Sequence, residues 1–205
     1  MASGFNISSF KGQGLTQGGA RPSLFEVYLT IPTFVAADTG SDTKFRFTCR
    51  AAQLPAATIG TIEVGYFGRM IKLAGDRTFA DWTVTVMNDE DFAVRSMFET
   101  WSNALNRLVS NVRDPNINAE NYKADLEIIQ YGKDGTELRS YQLVGAFPTE
   151  IGNIGLDWDS SNAVESFSVN FSYDYWIPIT EQSDKKAGGV NLYGVAATTD
   201  GPLGP

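Results

Sequence analysis

Two carboxylates, Asp157 and Asp159, flank Trp158 in the segment LDWDSSN. A pair of acids beside an aromatic ring is the equipment of glycoside hydrolysis, in which one carboxyl gives a proton and the other serves as base or nucleophile. Residues two apart on a strand share a face, which leaves that geometry open. The neighbouring Ser160, Ser161 and Asn162 support a simpler reading, because Asp, Ser and Asn bond to nearby backbone and form turns. A second run of oxygen-bearing side chains, Asn88, Asp89, Glu90 and Asp91, has the donors of a calcium loop but neither its ligand spacing nor its glycine. It suits a helix start, where such oxygens cap free N–H groups and negative charge meets the positive end of the helix dipole. The glycines of FKGQGLTQGGARP, from Phe10 to Pro22, have the composition of a phosphate-cradling loop, yet no strand leads into them and no helix follows.

The sequence contains no histidine and a single cysteine. The commonest general base and the commonest metal ligand are therefore missing. Cys49 has no partner for an internal disulfide and no histidine to activate it; in the alternation Phe45, Phe47, Cys49 it reads as a small buried hydrophobe. Nothing has the pattern of a nucleophile elbow, a Walker loop or a Cys/His metal cluster. The expectation is a non-catalytic protein with no cofactor and no metal site.

Composition narrows the partners. Sixteen Lys and Arg against 24 Asp and Glu give a net charge of -8 with no basic cluster, which argues against gripping a phosphate backbone. No run approaches the roughly 18 apolar residues of a membrane span, and Met1–Ala20 lacks the apolar centre of a signal peptide, so folding in a cytoplasm is expected. At 205 residues, one domain with loose ends is the first reading.

The elements that would position these residues are mostly strands. Period-2 alternation predicts strands over Leu24–Thr30, Phe45–Arg50, Thr61–Phe67, Met70–Ala74, Phe79–Met87, Lys123–Tyr131 and Glu137–Phe147. It also predicts one long strand from Val164 to about Trp176, with Phe167, Val169, Phe171, Tyr173 and Tyr175 on one face. Gly68 reads as a turn or bulge residue, Gly75-Asp76 as a turn, and Lys133-Asp134-Gly135 as a hairpin turn. Ala51–Gly60 is a long connection and Pro32–Lys44 an extended loop. Between the strands the period changes: Val94, Phe98, Trp101, Leu105, Leu108 and Val112 fall on one stripe of a single helix spanning about 90–112. The fold class expected is mainly β (α+β), two packed antiparallel sheets in a small barrel-like sandwich with one flanking helix. Residues 1–21 form an N-terminal arm, 22–177 the β domain and 178–205 an extended C-terminal arm.

The runs ARPSLFEVYL (Ala20–Leu29), FTCRAAQLPA (Phe47–Ala56), LAGDRTFADWTVTVMNDED (Leu73–Asp91) and GLDWDSSNAVESFSVNFSYDYW (Gly155–Trp176) resemble the tail tube proteins of T4-like contractile-tailed bacteriophages, in order, from about Ala20 to Trp176. The resemblance implies a virion protein whose homo-hexameric rings join sheets into a continuous β-barrel and stack into the inner tail tube. It implies contacts with the sheath, baseplate and tail terminator proteins, and transient passage of DNA without tight binding. The family domain ends near Trp176, so the arm beyond it and the long Pro32–Lys44 loop are departures. A related tube-fold protein of a baseplate, tube terminus or injection machine is the alternative, and a carbohydrate-binding β-sandwich a more distant one. Under the tube reading, Arg21 of the N-terminal arm, Leu54 and Pro55 of the long connection, and Gly75, Asp76 and Arg77 are candidates for self-assembly. Glu63, Asp125, Glu127 and Glu165 are candidates for an acidic bore.

Overall fold

The computed structural model describes residue 7 and residues 10–16, 18–35 and 40–179. After a π-turn at Phe10–Gly14 the chain runs through β1 (Phe25–Leu29), α1 (Ser41–Thr48), β2 (Cys49–Ala52), β3 (Thr58–Tyr66) and β4 (Arg69–Thr78). It continues through β5 (Trp82–Met87), α2 (Ala93–Leu105), α3 (Ala119–Tyr122), β6 (Ala124–Tyr131), β7 (Glu137–Ile151), β8 (Ser166–Ser172) and β9 (Tyr175–Ile179). The predicted arm beyond residue 179 lies outside the described residues, as do residues 36–39 of the predicted loop.

Two antiparallel layers share the long strand β7. Its first half pairs with β6, which pairs with β1, and on its other side with β9; its last residues pair with β8, followed by β5 and β2. The crease lies at Gly145, whose φ of +69° belongs to the left-handed region and where a Cβ would strike the Asp174 carboxylate. Opposite it, the Asp174 N–H donates to the Val144 carbonyl at 3.0 Å, while Lys123 Nζ reaches the Asp174 carboxylate at 2.7 Å. The two layers do not close into a barrel, because β1 and β2 remain edge strands among the described residues.

The strand periods place one set of side chains from each layer in a common core: Val27, Leu126 and Leu143 from one, Val84, Val169 and Phe171 from the other. Helix α2 covers it with Val94, Met97, Phe98 and Trp101. Phe98 and Trp101 make edge contacts with Phe171, and the buried Trp101 indole donates to the Tyr122 carbonyl at 3.0 Å.

Four expectations are corrected. Phe45–Thr48 is helical: α1 buries Ser41 and Phe45, four apart, and leaves Phe47 exposed. Local β preference yields there to tertiary contacts, Lys44 reaching Asp89 and Asp91, and Arg46 reaching Glu26. Helix α2 stops at Leu105 because the Asn103 side chain accepts the Leu108 N–H and the Asn106 amide donates to Asn111, which turns the chain and leaves Leu108 and Val112 exposed. Among the described residues three α-helices, α1 to α3, accompany the sheets instead of one. The long aromatic strand is broken at Tyr173-Asp174 into β8 and β9, opposite the crease in β7, so Tyr173 is buried while Tyr175 is exposed. Gly145→Ala should lower stability by about 1–3 kcal/mol, the cost of a side chain at a left-handed backbone position; chemical denaturation of the two proteins measures it.

Candidate self-assembly surface

Among the described residues, strands β3 and β4 pair only with each other and form a ribbon separate from the two layers. At about 3.3 Å per residue, the nine residues of β3 carry its tip roughly 30 Å from its root. One face pairs Ile62 with Leu73 and Val64 with Ile71 and ends at Tyr66, and all five are exposed. The other face pairs Thr61 with Ala74 and Glu63 with Lys72, whose ion pair spans 3.6 Å. A two-stranded hairpin is marginal by itself in water, so a ribbon of this length with a bare apolar face is built to be covered.

The ribbon's root is fastened to both layers. Trp82 of β5 donates its indole N–H to the Gln53 carbonyl, and Trp176 of β9 donates to the Ala56 carbonyl at 3.2 Å. The intervening Leu54 is exposed and Pro55 half-buried. Where β4 should turn at Gly75-Asp76, it instead carries a bulge: Thr61 pairs with Ala74 and Ile59 with Arg77, so Gly75 and Asp76 together oppose Gly60. A Cβ on Gly75 would stand 3.1 Å from the Gly60 carbonyl oxygen. The turn lies at Phe67-Gly68. Gly75, Asp76 and Arg77 thus oppose Ile59 and Gly60 near the root, Leu54 and Pro55 lie on the segment leading into β3, and Arg21 stands apart beside the β6–β7 turn, its carbonyl accepting from Gln130 at 3.4 Å. The period-2 alternation of the ribbon is visible in the sequence; the absence of a layer over it is not.

The four acids do not converge. Glu63 is on the ribbon, and Glu165 precedes β8, accepting from Asn88 at 3.2 Å. Asp125 and Glu127 share the face of β6 turned away from the core. Asp125 is engaged by Gln142 at 3.0 Å and the Gly145 N–H at 3.2 Å. Burial, and then the charge of Glu137, push the Glu127 carboxyl up, partly offset by the Ser140 hydroxyl.

A fifth acid, which the sequence does not single out, organises the outer face of β1. One oxygen of Glu26 accepts from Arg46 Nη2 at 2.8 Å and from the Tyr28 and Tyr131 hydroxyls at 3.0 Å each, while the Arg46 guanidinium lies 4.3 Å from the Tyr28 ring centre. Burial pushes this carboxyl up, but the bonds from Arg46, Tyr131 and Tyr28 together outweigh it and hold the group below its ordinary value. Asp157 and Asp159 form the expected turn, the Asp159 N–H bonding Asp157 Oδ1 at 3.1 Å, with Trp158 fully exposed. Cys49 packs half-buried against the core, and burial pushes its thiol up to about 12.

The family model described as phage tail tube protein matches residues 20–178, which spans both layers, the helices and the ribbon. This chain belongs to the phage tail tube protein family. Within it, the tail tube protein gp19 of Enterobacteria phage T4 is 37% identical over 158 residues, covering 77% of this chain and 90% of that protein. The tail tube protein of Serratia phage KSP90 is 25% identical over 171 residues, covering 82% and 93%. The tail tube fold extends to contractile injection systems. A chain of the anti-feeding prophage baseplate superposes with a TM-score of 0.56 at 13% identity, covering 80% of this chain and 97% of its own. One from the sheath-tube complex of an extracellular contractile injection system gives 0.51 at 16%, covering 85% and 98%.

Because the folded-state pKa of Glu26 is depressed below 4.5, its contribution to this tail tube subunit is complete above that pH and is lost as pH falls through the folded value. Glu26→Gln should cost about 1–3 kcal/mol at neutral pH and flatten the loss of thermal stability below about pH 4.5; melting temperatures between pH 7 and pH 3 measure both.

Proposed function

We propose that this chain is a structural, non-enzymatic virion protein that assembles as homo-hexameric rings stacked into the inner tube of a contractile phage tail. The observation that carries the reading is the bare apolar face of the β3–β4 ribbon, Ile62, Val64, Tyr66, Ile71 and Leu73, in a chain of the tail tube family. Burying such a face contributes roughly 25 cal/mol per Å², and a neighbouring copy supplies the missing layer. Edge strands β1 and β2 offer further backbone pairing. The root residues Leu54, Pro55, Gly75, Asp76 and Arg77 and, separately, Arg21 are the proposed contacts between subunits. The segments 1–21 and 178–205 are proposed as arms that extend from the 22–177 domain.

In this reading the sheath protein surrounds the tube, and baseplate and terminator proteins bound its ends. DNA passes through during ejection without tight binding. An excess of acid repels phosphates and keeps the barrier to transit low. Glu63, Asp125, Glu127 and Glu165 are the proposed bore acids. Assembly in the host cytoplasm precedes incorporation into the virion. A finite ring at the baseplate or tube end is the second reading, favoured by the fold shared with a baseplate chain, and copy number in virions, high for a tube and low for an end ring, separates the two.

The test is electron microscopy of the purified full chain across concentrations, with and without residues 178–205. Hollow stacked rings are expected; a chain that remains monomeric at every concentration even with baseplate added would overturn the reading. Replacing Val64 and Ile71 together by Thr should abolish tubes while leaving the far-ultraviolet circular dichroism of the body intact. Arg77→Glu should raise the concentration needed for tubes, and normal polymerisation would remove Arg77 from the contact.

A further inference from the structure

The tip of the β3–β4 ribbon contains a residue that its local geometry disfavours. The pairing of Tyr66 with Arg69 leaves a two-residue turn, Phe67-Gly68, in which φ is +43° and +76°. Positive values at both positions define the hairpin turn whose twist matches the strands, and its first position favours Asn, Asp or Gly, since a bulky side chain there crowds its own backbone. Phe67 occupies that position and is 90% exposed. Its ring rests edge-on against Tyr66, with centroids 4.6 Å apart.

Among the described residues, two other non-glycine residues have positive φ, Phe92 and Asn111, and the fold accounts for both. The Phe92 N–H bonds the Asp89 carbonyl and its own carbonyl starts the ladder of α2, while Asn111 is a residue type that tolerates the left-handed region. At Phe67 the turn accounts for the backbone but not for the ring. Asn would satisfy the turn better, and the body, roughly 30 Å away along β3, offers the ring no cover.

We propose that Phe67 is an anchor that inserts between apolar side chains of a second copy of this chain, with Tyr66 beside it. The inference rests on the tube reading above. The occupant is another copy because the apolar stripe continues without interruption from the ribbon face, through Tyr66, to the tip, so whatever covers the ribbon reaches Phe67 as well. An aromatic side chain supplies a large contact area at low conformational cost, which suits an anchor at the end of a slender ribbon.

The discriminating experiment compares the full-length wild type, Phe67→Asn and Phe67→Tyr. Light scattering and electron microscopy give the concentration at which tubes form, and melting below that concentration gives the stability of the free subunit. Phe67→Asn should raise the assembly concentration at least roughly tenfold, the scale expected for losing one buried aromatic, while its free subunit melts no lower than wild type. Phe67→Tyr, which keeps the ring and the unfavourable backbone, should assemble within about threefold of wild type. Tubes from Phe67→Asn at the wild-type concentration would overturn this proposal alone, as would equal impairment of the two variants. A wild type that forms no tubes under any condition would instead overturn the tube reading and this inference with it.

Discussion

A ribbon of two strands has two faces and no layer of its own, so any apolar side chain it carries must find cover elsewhere or stay wet. That constraint divides this molecule into a body that satisfies itself and an extension that does not. In the body, both layers, α1 and α2 converge on one core, and among the described residues no buried side-chain polar atom lacks a partner. In the ribbon, side chains of the same types alternate in the same way and are exposed on every residue of β3. The chemistry of the two parts is alike; only the number of layers differs.

The body is made self-sufficient by a few directional contacts placed where packing alone would leave freedom. The crease at Gly145 and Asp174 lets β7 serve both layers, and the ion pair of Asp174 with Lys123 fixes it. Arg46 fastens α1 to β1 through Glu26, and Lys44 fastens the other side of the same helix to Asp89 and Asp91, whose carboxyls its ammonium holds below their usual range. Charge-assisted bonds of this kind fix orientation where apolar contact would permit sliding.

Most of the layer strands were legible because one face of each is buried, and burial writes a period of two into the sequence. The β6–β7 turn was legible for a different reason, since Asp134-Gly135 has the backbone freedom the turn requires. The departures from local period have a common cause. At Phe45–Thr48, at the end of α2 and at Tyr173-Asp174, the outcome is decided by a partner distant in sequence or by an Asn side chain competing for backbone, and neither leaves a periodic trace. Of the candidate surface, the alternation of the ribbon's strands was legible, whereas its tip and bare face depend on what is missing from the third dimension. Glu26 is not legible in the sequence, because a single acid in an alternating strand is like any solvated one until three donors surround it.

The two tryptophans at the root have a consequence for shape at a larger scale. Trp82 and Trp176 come from different layers and hold carbonyls three residues apart on the same short segment, which makes a two-point mount rather than a pivot. Swinging about one anchor is resisted by the other, so the heading of the ribbon is set within the monomer before any neighbour arrives. Where such ribbons join one subunit to the next, the angle between subunits is inherited from this mount, and the curvature of the whole becomes a property of each separate chain.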